Sequence, residues 1–190
     1  MLFLLLLLAA LSGLAGCGGG DKKDAASADE LDPDTTYRLV LETTEGSFTI
    51  ELDQKLAPKT ARSLVRLARN GFFDGTKFHR VVPGFVIQGG DPTGTGSGGP
   101  GYSTVDVPPS DAAYTEGVVA MAKTQTEAPG TAGSQFFVVT GKDIGLPPEY
   151  AIVGRVSDGM ATVKAIDALG VGDGPPSKPV VIKKVTVQES

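Results

Sequence analysis

The 190-residue chain carries a formal charge of −5, with one cysteine, one histidine and no tryptophan. A lone cysteine excludes an internal disulfide framework, a thiolate zinc site and a catalytic thiol in everything that follows it. Net negative charge without a basic stripe excludes a nucleic-acid surface. From the N-terminus, Leu2 to Ala15 form an uncharged apolar run broken only by Ser12 and Gly13. At about 1.5 Å rise per residue this run falls short of the roughly 20 residues that cross a hydrocarbon core. It predicts a cleaved export signal over residues 1–16. Met1 alone stands where Lys or Arg is expected, which points to a start further upstream.

The run ends in Leu14-Ala15-Gly16-Cys17, which resembles a bacterial lipobox. That resemblance implies lipidation of the Cys17 thiol and acylation of the new amino terminus, and several acyl chains anchor stably where one does not. Residues 17–36 then read as a flexible acidic tether, with almost no large apolar side chain except Leu31. Such a segment buries too little to offset its ordering entropy. Its six acids (Asp21, Asp24, Asp29, Glu30, Asp32, Asp34) against Lys22 and Lys23 account for −4 of the −5. The acidity belongs to the tether and not to a ligand site.

Residues 37–190 have a usual single-domain length, able to bury about 70% of the unfolded surface. Tyr37 to Thr43 and Phe48 to Leu52 alternate with period two around a Thr44-Glu45-Gly46 turn, predicting a hairpin. Pro58 opens a helix whose Ala61, Leu64, Val65 and Ala68 form one buried stripe, ended by Asn70-Gly71. Strands are predicted at 78–82, 85–89, 117–122, 135–140 and 151–156. A second helix should start near Ser157-Asp158, capped by Ser157, with Met160, Val163 and Ile166 inward. A last strand runs from Val180 to Val187. Strands joined by hairpins with only two helices argue against a parallel α/β sheet, and no solenoid-period repeat is present.

Residues Phe78 to Asp91 read FHRVVPGFVIQGGD; further on come GVVAMA (117–122), GSQFFV (133–138) and IVGRVSDGM (152–160). In this order and spacing they closely resemble the cyclophilins, over nearly all of residues 37–190. The resemblance implies a mainly β fold, a closed eight-stranded antiparallel barrel capped by two α-helices. It implies peptidyl-prolyl cis-trans isomerase activity on proline-containing polypeptides, without cofactor or metal, by a protein that is monomeric by default. Position by position, Arg80 matches the family's catalytic arginine. Phe85, Val86, Phe137 and Leu146 match its apolar pocket, Gln88 and Gln135 match residues that hold the peptide, and Ala122 and Lys123 match a rim of mainly backbone contacts.

Departures are also visible. Val86 stands where many members have methionine, Gly145 where eukaryotic members have a tryptophan, and Tyr150 where they have a histidine. Gly145 removes the indole N–H that cyclosporin uses in sensitive members, which implies weak inhibition. Strict alternation of two strands paired around the Val82–Phe85 turn places Arg80 and Gln88 on opposite faces, so a wide turn or bulge is expected to bring them together. His79 invites a general-base role, but bond rotation needs none, and a structural hydrogen bond is the expectation. Gly94 to Gly99 matches GxGxxG; with Pro100-Gly101 following and no helix opening on it, it reads as a flexible surface loop and not a phosphate site. Two other functions fit the same chain: a binding module for proline-containing segments, and a structural envelope lipoprotein with an inert barrel. The presence of Arg80, Phe85, Gln88, Gln135 and Phe137 together disfavours the second.

Overall fold

The computed structural model describes residues 30–190. The predicted signal, Cys17 and the tether up to residue 29 lie outside the described residues. Residues 30–36, read in the sequence as the end of the tether, fold back on the domain. Leu31 packs against the core, Gln54 Nε2 donates to the Thr35 carbonyl at 2.7 Å, and Thr36 pairs with Ser190.

In chain order the elements are β1 (Tyr37–Thr43), β2 (Gly46–Leu52), α1 (Pro58–Arg69), β3 (Arg80–Val82), β4 (Val86–Gly89), β5 (Thr104–Val105), β6 (Val118–Met121), β7 (Thr131–Ala132), β8 (Phe136–Val139), β9 (Ile152–Asp158), α2 (Met160–Asp167) and β10 (Ile182–Glu189). Eight strands form one antiparallel sheet in the order β10-β1-β2-β9-β6-β8-β4-β3, and β5 pairs with β7 in a separate ribbon. The fold is therefore mainly β with two helices, as expected. Its edges β10 and β3 do not meet in a ladder. The gap is spanned by the Lys77↔Val181 bridge and by flanking hydrogen bonds such as Phe78 N–H to the Val180 carbonyl at 3.0 Å.

The predicted stripe of α1 is buried: Ala61, Leu64, Val65 and Ala68 face the sheet. Ala57 precedes the helix and caps nothing. The free N–H of Thr60 is instead taken by Asp106, at 2.7 Å, from a loop far along the chain. An anionic carboxylate there also faces the positive end of the helix dipole. At the other end Gly71 is left-handed (φ +68°) and its N–H returns to the Ala68 carbonyl, as the Asn70-Gly71 pair predicts. The second helix starts later than expected. β9 continues to Asp158, Gly159 takes the cap position at φ +76°, and Ser157 turns its hydroxyl toward the Thr49 carbonyl. The chain must turn hard here beside β2: a Cβ on Gly159 would lie 2.6 Å from Phe48 Cα. Val163 and Ile166 are fully buried and Met160 is partly so.

Two apolar layers result, because the central strands are buried on both faces. Val119, Met121, Phe136, Val138 and Ile87 point into the main core with α1, Phe48 and Phe78. Val118, Ala120, Phe137, Val139 and Val86 point the other way and pack with Tyr114. This explains why β6 and β8 read as continuous apolar runs and not as alternating ones. The second layer is the floor of the site.

Candidate active site

The site is built on one cross-strand row. Arg80 on β3 pairs directly with Gln88 on β4, Gln88 with Phe137 on β8, and Phe137 with Ala120 on β6. Directly paired residues of an antiparallel ladder project to the same face, so Arg80, Gln88 and Phe137 share the groove. Of the wide turn or bulge expected between Arg80 and Gln88, the structure uses the wide turn: three residues, Pro83 to Phe85, separate the paired Val82 and Val86. Val82↔Val86 and Val81↔Ile87 complete an unshifted hairpin, closed by Phe85 N–H to the Val82 carbonyl at 3.0 Å. The hairpin tip is pinned from below: Asp167, at the end of α2, accepts from Gly84 N–H at 3.1 Å and from the Thr140 hydroxyl at 2.7 Å. That fixes where Phe85 stands.

A cavity of about 240 Å³ opens over this row. Arg80, Gln88 and Lys123 supply its polar rim; Phe85, Val86, Ala122, Phe137 and Leu146 supply its apolar walls. Eight of the nine residues singled out from sequence thus meet at one place. The ninth, Gln135, lies in an adjoining depression of about 430 Å³ that shares Gln88, Ala122 and Lys123 with the first. Tyr150 also lines the smaller cavity and was not among the expected peptide-contacting residues. Its ring meets Phe137 edge-on at 5.7 Å, and its backbone is held by Tyr114, whose hydroxyl donates to the Tyr150 carbonyl at 2.8 Å. Burial raises the Tyr114 pKa above its ordinary value, so the hydroxyl stays protonated and able to donate.

Polar side chains around the groove form a chain of hydrogen bonds. Arg80 donates through Nη1 to Gln88 Oε1 (3.4 Å), Gln88 Nε2 donates to Gln135 Oε1 (3.1 Å), and Gln135 Nε2 donates to the Gly96 and Gly98 carbonyls (2.9 Å each). On its other edge Arg80 is gripped by Asp173: Nε to Oδ1 at 2.5 Å and Nη2 to Oδ2 at 3.0 Å. The guanidinium carbon also sits 5.9 Å from the Phe85 ring centre. Asp173 stands 93 residues from Arg80 in sequence, and no local pattern marks it.

Three expectations gain detail here. The glycine loop is tightly held: the buried Asp91 carboxylate accepts from the Thr93 N–H and hydroxyl and from the N–H groups of Thr95, Gly96 and Gly98. Those N–H groups serve Asp91 and not an external phosphate. His79 does not make the expected hydrogen bond; both ring nitrogens are buried without a partner among the described residues. Burial lowers its pKa, opposed by the nearby Asp91 charge, so it stays neutral at neutral pH. The Lys123 side chain is 2% exposed, pairing with Glu149 at 3.0 Å and lying 5.4 Å from the Tyr150 ring centre. Its charge is satisfied within the protein, which leaves mainly backbone to a ligand. Among the described residues no cluster of three His, Cys, Asp or Glu side chains could hold a metal ion.

Comparison with known proteins agrees with this geometry. Residues 38–187 match the family model described as cyclophilin type peptidyl-prolyl cis-trans isomerase. The chain is 40% identical over 160 residues to peptidyl-prolyl cis-trans isomerase-like 1 of Gibberella zeae, covering 81% of this chain and 97% of that one. It is 38% identical over 174 residues to peptidyl-prolyl cis-trans isomerase A of Mycobacterium tuberculosis, covering 82% and 94%. A crystal structure of a cyclophilin type isomerase from Cryptosporidium parvum, in the presence of the dipeptide Ala-Pro, superposes with a TM-score of 0.72 at 31% identity, over 80% of this chain and 99% of that one. The sheet order, the row from Arg80 to Ala120 and these matches lead to one conclusion: the chain belongs to the cyclophilin-type peptidyl-prolyl cis-trans isomerases.

Proposed function

We propose that this isomerase works at the outer face of a bacterial membrane, tethered through lipid on Cys17, and turns X-Pro bonds of exported polypeptides in the groove around Arg80. The observation that carries the groove assignment is the row Arg80–Gln88–Phe137, which sets a permanently charged donor at the edge of an apolar cavity. X-Pro rotation faces a barrier of about 18–20 kcal/mol, because twisting destroys the partial double bond of the amide. No bond to carbon breaks, so no nucleophile is required. The groove must bind the twisted amide better than either planar form.

Phe85, Val86, Phe137 and Leu146 hold the pyrrolidine ring, while Gln88, Gln135 and the backbone at Ala122 and Lys123 grip the flanking peptide. As the amide twists, the proline nitrogen gains a localised lone pair, and Arg80 donates a hydrogen bond to it. Because the guanidinium is already held in place, little reorganisation accompanies the step, and one such donor is worth about 3 kcal/mol.

Export and anchoring rest on the apolar run at Leu2–Ala15 and the lipobox-like Leu14–Cys17. In a bacterial host labelled with radioactive palmitate, the full chain should incorporate label and partition into detergent, and Cys17→Ser should abolish both. Equal partitioning of the variant, or an unlabelled wild type, contradicts the anchor. A second expectation concerns Gly145, which is left-handed at φ +61° with nothing within 4 Å of an added Cβ. No side chain fills the position from which sensitive members donate to cyclosporin. The isomerase is expected to retain most activity at 1 μM cyclosporin, on the order of a saturating dose for a nanomolar site; sub-micromolar inhibition contradicts this.

A further inference from the structure

We infer that Asp173 is a positioning residue for catalysis, orienting the Arg80 guanidinium toward the groove. The inference rests on the reading of Arg80 as the catalytic donor. A guanidinium has five N–H donors in a rigid fork. Asp173 takes the Nε–H and one Nη2–H, and Gln88 Oε1 takes one Nη1–H. Two N–H groups therefore remain for a substrate while the clamp stays closed. The carboxylate grips the edge opposite Gln88, so the Nη1 end is turned toward the row that floors the cavity. Without that grip a long, rotamer-rich arginine would have to be ordered during each turnover.

Asp173 is itself placed by the backbone. Its loop is closed by Ser177 N–H to the Leu169 carbonyl and laid along β3 by Val81 N–H to the Gly174 carbonyl, each at 2.8 Å. Gly170 lets the loop approach the hairpin, since a Cβ there would lie 2.6 Å from Pro83 Cδ. Arg80 and the loop that holds its partner are thus fixed to the same short strand. The Asp173 side chain is 67% exposed, and exposed ion pairs add little to stability. Orientation of Arg80 is the role left to it.

The test uses the full chain carrying Asp173→Asn or Asp173→Glu, with kcat and KM measured separately on a proline peptide. The Arg80 Nε–H resonance is followed by NMR. Asparagine keeps the shape but can accept on one oxygen only. The expected result is a fall in kcat of about tenfold, KM within about twofold, an unchanged melting temperature, and faster water exchange at Arg80 Nε–H. Asp173→Glu should recover most of kcat. A kcat within twofold of wild type or above it, a loss carried by KM, or a glutamate variant no better than asparagine overturns the inference. Arg80→Ala in the same assay tests the underlying reading by itself: if it turns over like wild type, both fall, whereas an inactive Arg80→Ala beside a normal Asp173→Asn removes only Asp173.

Discussion

Arg80→Ala is expected to lower kcat/KM for a proline peptide about 100-fold, while the peptide still binds. The side chain makes its contacts at the groove edge, with Asp173, Gln88 and the Phe85 ring, and carries no part of either apolar layer. Phe85, Val86, Phe137 and Leu146 remain in the variant to hold a proline ring. Loss of turnover with retained binding is what differential stabilisation of the twisted amide predicts. It also separates an enzyme from a binding module, since a groove that only holds proline segments would lose nothing in its binding role. Titration calorimetry beside a turnover assay reads both quantities; parallel loss of binding and turnover would instead make Arg80 a general peptide contact.

Asp91→Asn is expected to cost about 2 kcal/mol of stability at neutral pH, and to do so in a pH-dependent way. Burial alone would raise the Asp91 pKa, but hydrogen bonds from Thr93, Gly98 and Gly96 outweigh it and bring the carboxyl down from an ordinary 3.8 to about 2. A depressed folded-state pKa means the unfolded chain binds the proton more tightly. The stabilisation is therefore complete above about pH 4 and is lost as the pH falls through about 2. Urea unfolding of both proteins at pH 7 and pH 3 checks the sign: the gap between them should narrow on acidification. A gap that widens contradicts the assignment. The same variant should slow turnover several-fold, because the Asp91 loop presents the Gly96 and Gly98 carbonyls that hold Gln135, and through it Gln88.

How much of this was legible in the sequence depends on the range of the interaction. The α1 stripe and the Gly71 terminus are local patterns and were read as they stand. The start of α2 is not legible in the sequence, because a serine cap is a local rule, whereas the close approach of β2 that demands Gly159 is not. β5 and β7 have two residues each, too few to show any periodicity. The placement of Phe137 in the groove rests on the family resemblance, because a strand buried on both faces, with Phe136 in the core, shows no alternation to follow.

Whether Arg80 and Gln88 share a face depends on the length of the turn between them. A tight turn pairing Val82 with Phe85 sets them on opposite faces, whereas the observed three-residue loop pairs Val82 with Val86 and brings them together. Asp173 was beyond sequence reasoning altogether. It meets Arg80 only because the loop before β10 returns along β3, and nothing in GVGDGPP marks a partner for a distant arginine.

The central claim is that the groove around Arg80 catalyses X-Pro rotation, and the most direct measurement is the cis–trans exchange rate of a proline peptide at equilibrium, read by NMR exchange with the full chain at catalytic concentration. Uncatalysed exchange takes tens of seconds. The wild type should accelerate it in proportion to enzyme concentration, and Arg80→Ala should return it to near the buffer rate. Exchange at the buffer rate with the wild type, or undiminished exchange with the variant, would contradict the account.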